Sequence, residues 1–531
     1  MHTVSHACSR PTGRPSRGRA GSSSVMVNAT LVIAVVGWIT AASVDLGAQV
    51  PSTPRTLRVM SGGGVVVNAL SISGPASMSV GQTAQYAVQA TYTNGDKSVV
   101  ITGAVWSTSN SGLAIVTQSG VLTALASGTV TLQATYEGVT AQFATTLAST
   151  TASSAYGPQA TIACPAGAVF ISPGQNIQNN VNLNPGATTF CLRAGVHYLT
   201  SSITPKTGNT FVGEYGAILD GSNWSTSDST QAAFRAHNQD IDYVTIRNLV
   251  IRKMPQKGIH AYYWLTPDHW TIEYTEIAEA KTGILFPSNS IIRNNYIHHN
   301  YGDPSSTDPA LRGGAYVGYY ASNTTLENNE IAYNGKEQKV MESTTVTFRN
   351  NFVHHNQADG IWYDGGNPGA LVEGNRVEDN ARNGVFYEAS NGSIIRNNTI
   401  RRSGDTGVFI STSQNAEISG NTLEDNFRAI TYFVNCGGMV GRDIDLQNNW
   451  THDNTIRVGT QSGALATGIS YTADCTPTQV TTYHNGSKNL RFTHNTYFVP
   501  NVGGWYWLWN GIKQWFQWQG VPQDLDGTVS Q

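Results

Sequence analysis

Residues 394–400 read IIRNNTI, and the same seven-residue phrase returns along the chain. It appears as TIRNLVI (245–251), IIRNNYI (291–297), TLENNEI (325–331), TFRNNFV (347–353), LVEGNRV (371–377) and EISGNTL (417–423). The fifth position gives a register: from Asn295 it runs through Asn329, Asn351, Asn375, Asn398 and Asn421, at gaps of 34, 22, 24, 23 and 23. A period near 23 is too short for helical solenoids. It fits one coil of a parallel β-helix, in which three short strands are joined by turns. Asparagine recurs because its amide both donates and accepts, so stacked Asn side chains can bond from coil to coil inside a turn.

The repeat resembles the right-handed parallel β-helix repeat family over roughly residues 160–500. A leucine-rich horseshoe would need a leucine spacing that is missing here, and a propeller repeat is nearly twice as long. Upstream, NIQNNVNLNPGATTFCLRAGVHYL and GNTFVGEYGAILDGS resemble the N-terminal cap and first turns of that family. The tryptophan-rich GGWYWLWNGIKQWFQWQG (503–520), within a segment 501–531, is expected to close the other end. Solenoid ends expose apolar core and must be covered.

Each phrase is followed by a second strand, and these align as GIHAY (258–262), GILFP (283–287), GAYVG (314–318), GIWYD (360–364), GVFYE (384–388), GVFIS (407–411) and AITYF (429–433). Strand side chains alternate between faces. On this alignment one outward column carries His260, Leu285, Tyr316, Trp362, Phe386, Phe409 and Thr431. We expect His260, Tyr316, Trp362, Phe386 and Phe409 to contact sugar rings, unless the insertion at 301–314 folds over the stripe. A second outward column carries Gly318, Glu342, Asp364, Glu388, Ser411 and Phe433. Glu342 depends on KVMES, which lacks the guiding glycine, and a one-residue slip would turn it away.

Carboxylates on adjacent coils stand about 4.8 Å apart, so one should hold its proton above the usual carboxylate range. That splits Asp364 and Glu388 into an acid and a base or nucleophile, the pair that glycoside hydrolysis requires. Lys339 is a further catalytic candidate, and with Asp359, Arg382 and Asp405 it is expected at turns or strand starts beside the acids. The segment 337–364 resembles in spacing the active coils of β-helix alginate and chondroitin lyases, with Glu342 and Asp364 where those families carry basic residues. Three function classes stay open: a glycoside hydrolase, a lyase or epimerase acting on uronates, and a noncatalytic glycan-binding or adhesion protein. A hydrolase of this kind requires no cofactor, whereas calcium between Glu342, Asp364 and Glu388 is the competing arrangement. The pairs in IHHN (297–300) and VHHN (353–356) read as turn histidines, and no metal site is assigned to them.

The remaining chain places this module outside the cell. Arg10, Arg14, Arg17 and Arg19 precede an apolar run, Leu31–Ala42, and small residues follow, which is the pattern of an export signal over 1–48. Four cysteines remain beyond it. Cys164 with Cys191 and Cys436 with Cys475, the neighbouring pairs, are expected as disulfides among three possible connectivities. Residues 66–148 alternate in short β-rich runs, and through Gly81-Gln82-Thr83, Trp106-Ser107, IVTQSGVLTA and ASGTVTLQATY they resemble the bacterial Ig-like domain of group 2. That resemblance implies a small β-sandwich acting as a spacer, followed by a Thr/Ser/Ala linker at 149–159. The expected whole is all-β: a right-handed parallel β-helix preceded by an Ig-like sandwich. With 12% charged residues and a net charge of -3, nothing suggests a nucleic-acid or membrane-surface partner once the signal is removed. A polysaccharide or oligosaccharide is the expected partner.

Overall fold

The computed structural model describes residues 66–79, 83–100, 103–110, 113–124, 128–148, 156–262, 267–302, 313–335, 338–437 and 444–531. The expected export segment, most of the linker and most of the 301–314 insertion lie outside them. Among the described residues no helix is long and apolar enough to cross a membrane.

Residues 67–148 form short strands around their own apolar core of Ile72, Tyr86, Val88, Trp106, Leu122, Val130 and Leu132. Val67–Ser73, Ala87–Tyr92 and Lys97–Val100 make one antiparallel sheet. Val105–Thr108, Gly128–Tyr136 and Val139–Ala148 pair antiparallel in a second, with Ser77–Ser79 added in parallel. Alternation in the sequence becomes alternation in burial: in Gly128–Tyr136, Val130, Leu132 and Ala134 are fully buried and their neighbours are not.

From Val169 onward the chain winds into coils, and from the strand Thr210–Gly213 on the coils contribute strands to three long sheets, the third beginning at Ala232–Arg235. Among the described residues two sheets have 13 strands and the third has 12, and coil-to-coil pairing is parallel until the last hairpin, Trp507–Leu508 with Ile512–Lys513. The repeated phrase supplies the first two strands of each coil. In IIRNNYI, Ile291–Arg293 and Tyr296–His298 are strands, and the two asparagines between them do different work. Asn294 turns the corner in the left-handed region, as do Asn328, Asn350 and Asn397, at φ between 51° and 56°. Gly374 and Gly420 take that slot in their coils, and a Cβ on Gly374 would stand 2.4 Å from Asn350 Oδ1.

The following asparagine points inward and makes the ladder. Nδ2 of Asn295 donates to Oδ1 of Asn329 at 3.0 Å, and the pattern continues through Asn351, Asn375, Asn398, Asn421, Asn454 and Asn495 at 2.9–3.0 Å. Each of these amides also donates to a carbonyl of the preceding coil, as Asn329 does to Ile292. The ladder ends on Asp524, which accepts from Asn495. A second ladder, Asn300–Asn334–Asn356–Asn380, stands five residues on, at the next turn.

Inside the coils, Ile246, Ile272, Ile292, Leu326, Phe348, Val372, Ile395 and Ile418 form one stacked column of the core. At one end the short helix Ile177–Leu183, capped by Asn176 on the N–H of Asn179, buries Ile177 and Val181. At the other, Trp507, Trp509 and Trp518 are buried, and Thr528–Ser530 returns to pair with Thr496–Phe498. Cys164 is bonded to Cys191 and Cys436 to Cys475, the neighbouring pairs. These disulfides fit an exported protein.

Candidate active site

The third sheet carries the candidate residues, and its register decides which face water. Asp364 pairs with Glu388, Trp362 with Phe386, and Tyr363 with Tyr387. The next coil follows in step, Phe386 with Phe409 and Glu388 with Ser411. Tyr363 and Tyr387 are core residues, so Trp362, Asp364, Phe386 and Glu388 lie on the outer face.

Upstream the observed register departs from the expected one. Leu285 pairs with Val317, Val317 with Lys339, and Val340 with Tyr363. Tyr316 is therefore inward and fully buried, its hydroxyl 3.4 Å from the carbonyl of Gly360, and it is no sugar platform. Gly318 also faces inward, where any Cβ would strike the Phe286 ring. Two glycines, Gly313 and Gly314, precede this strand, but the residue equivalent to Gly283 is Ala315, since Ile284 pairs with Tyr316. Aligning on Gly314 moves the strand by one residue and swaps its faces.

The same displacement removes Glu342 from the acid column. Met341 occupies the place in register with Tyr319, and Glu342 stands at the corner with φ 47°, its N–H donating to Gly365. The three-carboxylate cluster expected for calcium does not assemble. Lys339, by contrast, joins the outer column directly before Trp362.

Four side chains then interlock. Lys339 Nζ lies 2.8 Å from Asp364 Oδ2 and 4.7 Å over the Trp362 ring. Trp362 Nε1 donates to Glu388 Oε2 at 3.3 Å. Trp362 stacks on Phe386, centroids 5.3 Å apart and planes 8° apart, and the aromatic run continues to Phe409 and Phe433. Burial, and then the negative charge of Asp364, push the Glu388 carboxyl up to about 7. Asp364 instead has an ammonium at hydrogen-bond distance. Two neighbouring carboxyls thus meet opposite environments.

The flanking charges are engaged in holding turns. Asp359 is 1% exposed, accepts from the N–H and Nδ2 of Asn383, and has Arg382 Nη1 3.4 Å from Oδ2; burial raises its pKa. Asp405 is paired with Arg428. His298 and His354 reach Glu276 and Glu330 at 3.3 and 3.1 Å, as turn histidines with partners. Among the described residues the one His/Cys/Asp/Glu group with metal-like spacing, Cys164, Cys191 and Glu214, contains a disulfide.

The stripe is open only in its second half. His260 is 3% exposed and Leu285 and Val317 are 1% exposed, the last two packed under Tyr262 and Tyr319. Phe386 is largely covered, whereas Trp362 and Phe409 are partly open. The Tyr262, Tyr319 and Tyr320 cluster is a feature that reading by columns missed, and Tyr319 stands two coils before Asp364. The alternation in YVGYY would have shown it, had Ala315 been taken as the register mark.

Three sheets of parallel strands and the asparagine ladders between their coils define a parallel β-helix protein. The chain matches the family described as "Right handed beta helix region" over residues 232–392 and 342–514, more than half its length, and it belongs to that family. Among solved structures it is similar to the A-module of a mannuronan C-5 epimerase from Azotobacter vinelandii, at 17% identity and a TM-score of 0.50, covering 66% of this chain and 92% of that one. It is also similar to the catalytic unit of a GH87 α-1,3-glucanase from Streptomyces thermodiastaticus, at 14% identity and a TM-score of 0.50, covering 78% and 75%. These likenesses show the fold. No curated protein matches the sequence.

Proposed function

We propose that this is a secreted polysaccharide-active protein that cleaves glycosidic bonds with Asp364 and Glu388 in a retaining mechanism. The observation carrying the reading is the in-register pair of carboxyls with opposed environments. Glu388, with its pKa near 7, gives its proton to the glycosidic oxygen. Asp364, in salt-bridge contact with Lys339, attacks the anomeric carbon with the oxygen that Lys339 does not hold. Water then attacks the glycosyl ester, Glu388 takes the water proton, and Asp364 is released. Adjacent strands about 4.8 Å apart suit a nucleophile better than the wider gap an inverting enzyme needs for its water. Trp362 and Phe409 offer ring faces to the sugars beside the cut. The two similar structures, an epimerase module and a glucanase unit, are both named for work on polysaccharides, which supports the substrate class.

The test is a polysaccharide panel read for reducing ends and ultraviolet absorbance together, with EDTA and calcium arms. Cleavage should give reducing ends without absorbance, unaffected by EDTA. Asp364→Asn and Glu388→Gln should each lower the rate about a thousandfold or more; either variant retaining full activity ends the hydrolase reading. A lyase or epimerase reading is favoured by Lys339 on the outer face, its Nζ 2.8 Å from Asp364 Oδ2. It requires unsaturated products or uronate inversion, and loss of both on Lys339→Met. Retention of glycan without any product would instead fit an adhesion role. In this reading residues 66–148 are a group 2 bacterial Ig-like spacer.

A further inference from the structure

One outward column of the third sheet runs Tyr319, Met341, Asp364, Glu388, Ser411, Phe433. Tyr319 pairs with Met341, Met341 and Asp364 follow the paired Val340 and Tyr363, and the steps from Asp364 through Glu388 and Ser411 to Phe433 are in register. The proposed cleavage uses only the two middle members. Both ends are aromatic. Tyr319 stands two coils before Asp364 and Phe433 two coils after Glu388, so each end lies about 10 Å from the nearer carboxyl and the two ends about 24 Å apart along the coil axis.

The upstream end is a cluster of rings. Tyr319 packs against Tyr320 with centroids 4.3 Å apart and against Tyr262 at 5.6 Å, and its hydroxyl lies 3.4 Å from that of Tyr320. Tyr320 occupies the corner after the strand, at φ 53°, and is 48% exposed. At the downstream end Phe433 is half-buried and packs against Phe409, itself half-buried, with centroids 5.6 Å apart. Ring faces and phenolic hydroxyls at a wet surface suit a ligand with apolar faces and hydroxyl edges, which describes a sugar.

The outer face is narrow across the strands and long along the coils. Ile361–Asp364 is a strand of four residues, about 13 Å, with only Trp362 and Asp364 directed outward. A ligand lying across it meets the carboxyls and neither aromatic end. We infer that a single glycan chain lies along this column, parallel to the coil axis, with sugars stacked on Tyr319 and Tyr320 at one end and on Phe433 at the other, and the bond to be cut between them. This rests on the polysaccharide reading and deepens it. Sugars held on both sides of the carboxyl pair place the cut inside a chain rather than at its end.

The test is affinity electrophoresis of full-length Glu388→Gln, which binds without cutting, through gels containing xylan, dextran, laminarin, alginate or polygalacturonate. At least one polymer should retard it. Two variants are then added on that background. Tyr320→Asn puts a residue at ease in the left-handed corner, and Phe433→Leu keeps apolar bulk against Phe409. Each should weaken retention about tenfold, and the two together about a hundredfold, because one chain touches both ends. Separate chains at the two ends would leave each single variant nearly as well retained as the parent. Trp505→Ser, at an exposed ring of the C-terminal segment, should change nothing. No retardation by any polymer, unaltered retention in either single variant, or an equal loss in Trp505→Ser overturns the inference. The gel reads binding alone, so its outcome stands whether or not the wild type cleaves. Where the wild type does cleave, viscosity should fall well before reducing ends accumulate, and monosaccharide as the first product would overturn the internal cut.

Discussion

Glu388 combines three neighbours into one property. Burial and Asp364 raise its pKa to about 7, while the Trp362 N–H and Lys339 pull it back. A carboxyl raised in the folded state stabilises the fold fully below its unfolded pKa, near 4.5, and that contribution is lost as pH rises through about 7. Glu388→Gln removes the titration, so the variant should match wild type in stability below pH 4.5. Above pH 7 it should be the more stable, by up to about 3 kcal/mol. Urea midpoints at pH 4 and pH 8 measure this, and equal midpoints at both would mean that Glu388 titrates normally. The same group sets the alkaline limb of the proposed reaction, since the acid must enter protonated. Trp362→Phe keeps a ring but deletes the N–H that favours the charged form, so that limb should move upward.

At the scale of the coil, the two asparagines of each phrase separate conformation from bonding. Asn350 occupies the left-handed corner, where glycine is at ease, so Asn350→Gly should change stability by less than about 1 kcal/mol. Asn351 accepts from Asn329 and donates to Asn375 and Leu326, all buried, so Asn351→Ala strands several groups at once. A loss of about 2–4 kcal/mol follows, read as a fall in the urea midpoint; equal effects at the two positions would refute this division of labour. The ladder was legible because each bond needs the same residue at one slot of every coil. The site was legible only where glycine marked the strand. Gly360 and Gly384 put Asp364 and Glu388 in register, and the outer-face pairing confirms their proximity. In the two coils before, no single glycine fixes the strand start, and a period of two turns a one-residue error into a change of face. Tyr316 and Glu342 were misplaced for that one reason.

A solenoid of this length is held by neighbours only, so its ends decide whether the whole molecule stays soluble and single. The ladder and the core both terminate at the C-terminal segment. Asp524 accepts from Asn495, from the Tyr497 hydroxyl and from Trp518 Nε1, and Trp507, Trp509 and Trp518 close over Phe492 and Tyr497. Thr528–Ser530 also covers the open edge of the last full coil, Thr496–Phe498. Ending the chain after Pro500 would therefore remove three things together: the acceptor of the final asparagine, the apolar lid, and a strand of one sheet. An uncovered parallel edge above an exposed core templates further strands. We expect the truncated protein to aggregate or to elute as large assemblies, whereas Trp505→Ser, at a surface position of the same segment, should leave the full chain's elution unchanged. Size-exclusion chromatography with light scattering decides it. A truncated chain that elutes as a monomer with wild-type thermal stability would show that the coils close themselves, and that the tryptophan-rich segment serves some purpose other than capping.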